Sequence, residues 1–337
     1  MPDCSAVLHI LYHFPAPWGG AEHRIYELFS VLHPQALVRV WSPCSVSAEV
    51  ARQVPVQIVD LAKGKFPKGG NLLIVGGFFP VGEWISRGNF ERVILLHNSP
   101  FHRKFKRTLR SVARQAPGRV ELEFASEWLM NRFGAKEGRR QISLVDLSDF
   151  KPRESKEGKA FVVGRHSRDS IEKHHRSSLR TYRKLSEAGI EVKVLGGSVL
   201  SNRIGPLPRL ELLPENTEKP SEFLRGLDCF YYRTSYSFPE AHSRAVTEAL
   251  LTALPVVAHR RGGYVDFIEH GKSGFLYRTE TEAMEYIHAL KEDPELADEV
   301  GRAGRDNILR VLGSEARGEL CAHLLRGSSP EPPPVGR

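Results

Sequence analysis

SFPEAHSRAVTEALLTALPVVAHRRGG, residues 237–263, holds a loop, a helix, a buried strand and a glycine turn in succession. Ala245, Ala249 and Ala253 recur every four residues with Val246 and Leu250 beside them, one apolar stripe of a helix that starts near Ser243. Leu254-Pro255-Val256-Val257-Ala258 reads as a short strand buried on both faces, entered through a proline where no ladder donor is needed. Arg260-Arg261-Gly262-Gly263 then turns the chain. Ligands of parallel α/β sheets sit at the carboxyl ends of strands and at helix starts, so the loop carrying Glu240 and the Gly262-Gly263 turn are expected to face one cleft.

Glu240 lies in that loop and Glu248 lies in the helix. An ionised carboxylate only accepts hydrogen bonds and can take two hydroxyl donors at once, which suits the vicinal hydroxyls of a sugar. The same spacing also allows Glu248 to pair with Arg244 or Thr252 on a solvated helix face.

With the following EHGKSGFLY, residues 237–277 resemble the donor-site signature of family-4 retaining glycosyltransferases of GT-B fold. The resemblance implies an α/β protein of two Rossmann-like, doubly wound domains facing a central cleft. It places the donor sugar at Glu240, with Ala241, His242 and Ser243 in the same donor-binding loop, and the nucleotide ribose at Glu248. One departure is Ala253, where the family has glycine, and its methyl group is expected to tighten the packing there.

A chain of 337 residues exceeds what one core usually holds, so two domains are expected. Cys4, Cys44, Cys229 and Cys321 show no metal-ligand or CxxC spacing, and no signal peptide or long apolar run is evident. These features point to a reduced, cytoplasmic protein without a membrane span. The net charge of +8 calls for an anionic partner: nucleotide phosphate, a lipid surface or nucleic acid.

Ala6 to Tyr12 reads as the first buried strand, followed by PAPWGGAEHRIYELFSVL, a glycine turn running into an amphipathic helix. The backbone N–H groups of Gly19 and Gly20 can approach a phosphate closely, although a glycine pair also serves as an ordinary turn. The resemblance extends to GGAE and sets that loop against the donor diphosphate and the acceptor. Strands follow at residues 37–41, 56–59, 71–76 and 93–97. His97 ends the last of them; such a histidine can simply hydrogen-bond a loop carbonyl, while in similar enzymes it reaches the donor sugar.

FHRKFKRTLRSVARQ, residues 101–115, puts Phe101, Phe105, Leu109 and Val112 on one helical stripe. Arg103, Lys104, Lys106, Arg107 and Arg110 surround it, with Arg114 further on. Each such cation near an anionic bilayer is worth on the order of 1 kcal/mol, so the segment suits a membrane surface or an anionic acceptor. Its basic face can equally be solvated.

A boundary near residue 150 leads through the charged KPRESKEGK into a second domain, 151–325, with a proline-rich tail, 326–337, expected to be disordered. This domain opens with a strand at 160–163 and the basic loop GRHSRDSIEKHH. Arg165 and Lys173 can neutralise a diphosphate as its charge develops, the role the resemblance gives them, though Arg168 is an alternative to Arg165. A strand at 209–214 places Leu213 where the resemblance has backbone groups reading the nucleotide base. Helices are expected at 280–292 and 295–325.

The sequence therefore reads as a retaining, metal-independent hexosyl- or related transferase that needs no cofactor. It would move a sugar from a nucleoside diphosphate donor to a hydroxyl of a glycan, glycolipid or other acceptor in bacterial glycan, lipopolysaccharide or glycolipid assembly. Its expected place is the cytoplasm, peripheral on the inner face of the plasma membrane, with no nucleic-acid partner. Rivals are a nucleotide-sugar 2-epimerase of the same fold and a non-catalytic anion- or membrane-binding relative.

Overall fold

The computed structural model describes residues 6–152 and 160–327, so most of KPRESKEGK and residues 328–337 lie outside it. The chain divides into two units, Met1–Val145 with Leu312–Arg337, and Asp146–Val311.

The first unit is built on β1 (Val7–Leu11), α1 (Gly20–Leu32), β2 (Leu37–Ser42), α2 (Ala48–Gln53), β3 (Val56–Ile58) and β4 (Asn71–Val75). It continues with β5 (Arg92–His97), α3 (His102–Gln115), β6 (Glu121–Phe124), α4 (Glu127–Phe133) and β7 (Arg139–Arg140). The strands form one sheet in the order β3-β2-β1-β4-β5-β6-β7, and every pair is parallel. The central β1 and β4 are buried along their whole length, because helices cover both faces of a parallel sheet. The strand order reverses between β1 and β4, which puts a ligand crevice at their carboxyl ends.

The second unit contains β8 (Val162–His166), α5 (Ser178–Glu187), β9 (Glu191–Leu195), α6 (Ser201–Ile204), β10 (Leu210–Leu213), α7 (Pro220–Arg225) and β11 (Cys229–Tyr232). After them come α8 (Arg244–Leu251), β12 (Val256–His259), β13 (Phe275–Tyr277), α9 (Glu280–Glu292) and α10 (Pro294–Leu312). Its parallel sheet runs β10-β9-β8-β11-β12-β13, with the reversal between β8 and β11. The Ser243 hydroxyl accepts from the Val246 amide at 3.4 Å and starts α8.

Three expectations change. The helix expected over 295–325 is parted at Gly313, whose extended backbone (ψ −180°) separates α10 from α11 (Ser314–Leu325). That last helix belongs to the first unit, not to a second domain reaching residue 325. Asn71 Nδ2 donates to the Leu324 carbonyl at 2.9 Å and Arg92 Nη1 to the His323 carbonyl at 2.7 Å, so the end of α11 is fastened to the sheet.

The third change concerns Ala253. Its φ is 53°, the left-handed region, so the glycine preference at this position is conformational and the expected effect on packing is not what sets it. Ala253→Gly is expected to raise the unfolding free energy of the second unit by about 0.5–1 kcal/mol, read by urea denaturation. An unchanged or lower value would contradict the strain.

Candidate functional site

The polar residues gather where β8 and β11 end and their following loops diverge. The Lys173 ammonium lies 2.7 Å from Glu240 Oε1, and the Tyr232 hydroxyl donates to the same oxygen at 2.9 Å. Both partners of the Lys173–Glu240 pair are largely covered, with side chains 13% and 12% exposed, yet each keeps an edge towards solvent. The pre-helix loop and the glycine turn do meet: the Gly263 amide donates to the Glu240 carbonyl at 2.9 Å. Gly262 has φ 145°, and a Cβ there would come 2.8 Å from the Tyr264 ring and 3.2 Å from the Glu240 carbonyl, so only glycine fits.

Glu248 lies on the first turns of α8, and its residue is 4% exposed. Arg244 Nε donates to its Oε1 at 2.7 Å, and His166 Nε2 is 3.1 Å from its Oε2. Burial works against its charge, but His166 and Arg244 hold the carboxyl below its ordinary range. The Arg244 pairing expected for a solvated helix face is therefore present on a buried one. Arg244 Nη1 is buried and has no partner, a donor left over beside the carboxylate. Ser243, between the two glutamates, has φ 154°, a strained backbone of the kind that functional loops hold. Ala241 is buried, and His242 packs against the Phe267 ring at 5.0 Å with Nε2 3.3 Å from the Thr247 hydroxyl.

Arg165 reaches the site from below. It is 0% exposed, donates from Nη1 to the Arg233 carbonyl at 2.6 Å and from Nη2 to the Lys173 carbonyl at 2.8 Å, and lies 4.7 Å over the Tyr232 ring. Its two terminal nitrogens are thus held by backbone carbonyls, and it fixes the strand end and the Lys173 segment, while its Nε is buried without a partner. Arg168 is exposed on the same loop. The Leu213 carbonyl already accepts from the Gly196 and Gly197 amides at 2.8 and 2.9 Å, and its strand register is with Leu195, so its backbone is saturated.

In the first unit, Gly19 and Gly20 do open α1, but a carboxylate of the chain itself lies there. A Cβ on Gly19 would stand 2.4 Å from Glu22 Oε2, and Glu22 is 3% exposed and accepts from the Tyr12 hydroxyl at 3.2 Å. The positive end of the helix is thereby offset by Glu22, which opposes a phosphate at this turn.

His97 is 0% exposed, so it does not present its ring to a ligand here. It stacks on Phe105 at 4.0 Å, meets Phe124 and Phe133, and its Nε2 is 2.9 Å from His102 Nδ1. The apolar faces of α3 and α4 close over the strand end. All six basic residues on α3 that ring its buried stripe, Arg103, Lys104, Lys106, Arg107, Arg110 and Arg114, are exposed, but Phe101 is 44% exposed and lies outside the stripe.

Burial holds His97 and His174 neutral: with His102 beside the first and Arg165 beside the second, their pKa values fall to about 3. Unfolded, each takes up a proton near its ordinary value of about 6.5. The folded form does not, so stability is full above that pH and is lost as pH falls towards 3, by up to about 1.4 kcal/mol per histidine and pH unit. Denaturation at pH 7 and pH 5 is expected to show this loss, reduced in His97→Phe and His174→Gln; equal stability at both values would contradict it.

Residues 148–307 match the family described as glycosyl transferases group 1. The sequence has no match among curated proteins. The structure resembles Anabaena HepE in complex with UDP and glucose (TM-score 0.71, 16% identity, 95% of this chain and 99% of that one). It also resembles sucrose-phosphate synthase from Thermosynechococcus elongatus (TM-score 0.72, 13% identity, 95% and 98%). A third likeness is WaaG, a glycosyltransferase involved in lipopolysaccharide biosynthesis (TM-score 0.61, 13% identity, 93% and 99%). The two parallel α/β sheets are those of the GT-B fold.

Proposed function

We propose that this chain, a glycosyltransferase by the group 1 match over residues 148–307, moves a sugar from a nucleoside diphosphate to an acceptor hydroxyl with retention at the anomeric carbon. The observation that carries this reading is the Lys173–Glu240 pair at 2.7 Å, set at the reversal of the second sheet within that matched segment.

In this reading Lys173 turns from Glu240 to the diphosphate, with the buried Arg165 charge beneath it, and Glu240 accepts hydroxyls of the donor sugar. Glu248 takes the ribose hydroxyls, and the unpartnered Arg244 Nη1 supplies a further donor. Gly19 and Gly20 would approach the diphosphate only if Glu22 withdrew, and His97 would act from beneath the surface, holding His102 and α3. Ala241, His242 and Leu213 shape the donor loop and the base side through their backbone positions.

The bond from the anomeric carbon to the phosphate oxygen breaks, the bond to the acceptor oxygen forms on the same face, and the acceptor proton passes to the departing diphosphate. Lys173 supplies the charge stabilisation, so the step needs no metal. HepE is described with UDP and glucose, which favours a uridine nucleotide here. WaaG is described in lipopolysaccharide biosynthesis, which supports a role in assembling cell-envelope glycans. No helix among the described residues is long and apolar enough to cross a membrane, so contact with a bilayer would run through the exposed cations of α3.

Proton NMR of the product tests the reading. Acceptor-dependent release of nucleoside diphosphate with a retained anomer is expected. An inverted product would contradict retention, and turnover of the donor alone would favour the 2-epimerase.

A further inference from the structure

The crevice of the first unit, at the reversal between β1 and β4, carries an exposed aromatic ring that the donor chemistry does not use. Trp18 is 43% exposed, in the loop between β1 and α1. It is nevertheless held: the His23 ring is 5.8 Å away, and Tyr26 meets it edge-on at 6.5 Å. The Tyr26 hydroxyl donates to the Pro17 carbonyl at 3.0 Å, which pins the residue before it. Phe14, stacked on Tyr26 at 6.4 Å, has φ 44°, a left-handed backbone that an aromatic residue adopts only when its surroundings impose it. A braced indole with an open face meets a flat apolar surface with little further ordering, and backbone strain of this kind clusters at ligand-binding sites.

The charge nearby narrows the ligand. Glu22, in the first turn of α1, is buried beside Gly19, and its negative charge makes this corner unfavourable for phosphates and carboxylates and leaves it to a neutral ligand. A ligand with a flat apolar C–H face and a rim of neutral hydroxyls satisfies both conditions, and that is a pyranose. We propose that Trp18 is a stacking platform for a neutral pyranose ring of the acceptor, so that the acceptor is a sugar. As an acceptor subsite this rests on the transferase reading; as a sugar-binding surface it stands without it.

All four tryptophans, Trp18, Trp41, Trp84 and Trp128, lie in the first unit, which makes their indole N–H resonances a direct probe. The experiment titrates the full chain, labelled with nitrogen-15 tryptophan, with the methyl pyranosides of glucose, galactose, mannose and N-acetylglucosamine, then with UDP-glucose and GDP-mannose. Trp18→Phe identifies the resonance. A saturable shift of Trp18 with at least one methyl pyranoside, with buried Trp84 unmoved, is expected. No saturable shift with any of them, or one that glycerol reproduces, overturns the platform. Nucleotide-sugar binding, which the transferase reading places in the second unit, where there is no tryptophan, is read in parallel as thermal stabilisation of the same chain. If pyranosides shift Trp18 and no nucleotide sugar stabilises the chain, the platform stands and the transferase reading falls; the reverse pattern removes the platform alone.

Discussion

Lys173→Ala is expected to lower kcat for sugar transfer by about 10²- to 10³-fold, the usual cost of removing one preorganised group aimed at charge that develops in the transition state. In the proposed step the diphosphate gains negative charge as it leaves, and the partly exposed Lys173 ammonium lies 2.7 Å from Glu240. Arg165 cannot substitute, because both of its terminal nitrogens hold carbonyls and the residue is 0% exposed. The fold should be little affected, since the Glu240 carboxylate keeps the Tyr232 hydroxyl at 2.9 Å and an edge in solvent. Lys173→Arg is expected to recover part of the rate, although a planar fork fits a single-point contact poorly. Steady-state transfer rates with a saturating donor check this, and a Lys173→Ala rate within a few-fold of the native one would contradict the assignment.

The second large effect is on stability. Glu123→Ala is expected to lower the unfolding free energy of the first unit by about 3–5 kcal/mol, because it strands buried charge. Glu123 is 1% exposed; its carboxylate accepts from Gln141 Nε2 at 2.5 Å and lies 2.6 Å from His323 Nε2. Gln141 in turn takes Arg24 Nη1 at 3.0 Å, and burial, partly countered by Glu123, lowers the pKa of that guanidinium to about 10. Removing the carboxylate leaves Arg24 buried without its countercharge and loosens α11 at His323. Tryptophan fluorescence during urea unfolding reports this unit alone, since it holds every tryptophan. A loss below about 1 kcal/mol, the scale of an exposed pair, would show that the network is not the fastening it resembles.

The sequence made most of the strands and the Glu240 loop legible, because buried parallel strands and a helix with an alanine stripe leave local patterns, whereas the order of the strands in each sheet comes from the structure. It also brought Lys173 and Glu240 to notice separately, and the fold sets them 2.7 Å apart. Tyr232, His166 and Arg244 were not singled out as site residues, since each completes the site only when separate strand ends meet. GRH directly after a buried strand was the one local signal for His166. His97 shows the converse: a polar residue ending an apolar strand looks like a ligand group, and the local pattern does not reveal that Phe105 and Phe133, from two later helices, cover it in this structure. In GGAE the glycines drew the eye, while the glutamate governs the charge at that turn. The break at Gly313 was hidden because the apolar spacing continues on both sides of it, and only the extended backbone there ends α10.

The central claim is that the second unit binds a nucleoside diphosphate sugar through Lys173, Glu240 and Glu248. Thermal unfolding of the native chain and of Glu248→Ala, with UDP-, GDP-, dTDP- and CMP-sugars, tests it most directly. A ligand at about 100 times its dissociation constant stabilises the folded state by roughly 2.7 kcal/mol, a readily visible shift. The account predicts stabilisation by one of the diphosphate classes (UDP, GDP or dTDP), largely lost in Glu248→Ala, and none by the CMP-sugars, which carry a single phosphate. Stabilisation by none of them, or equal stabilisation of the variant, would contradict it.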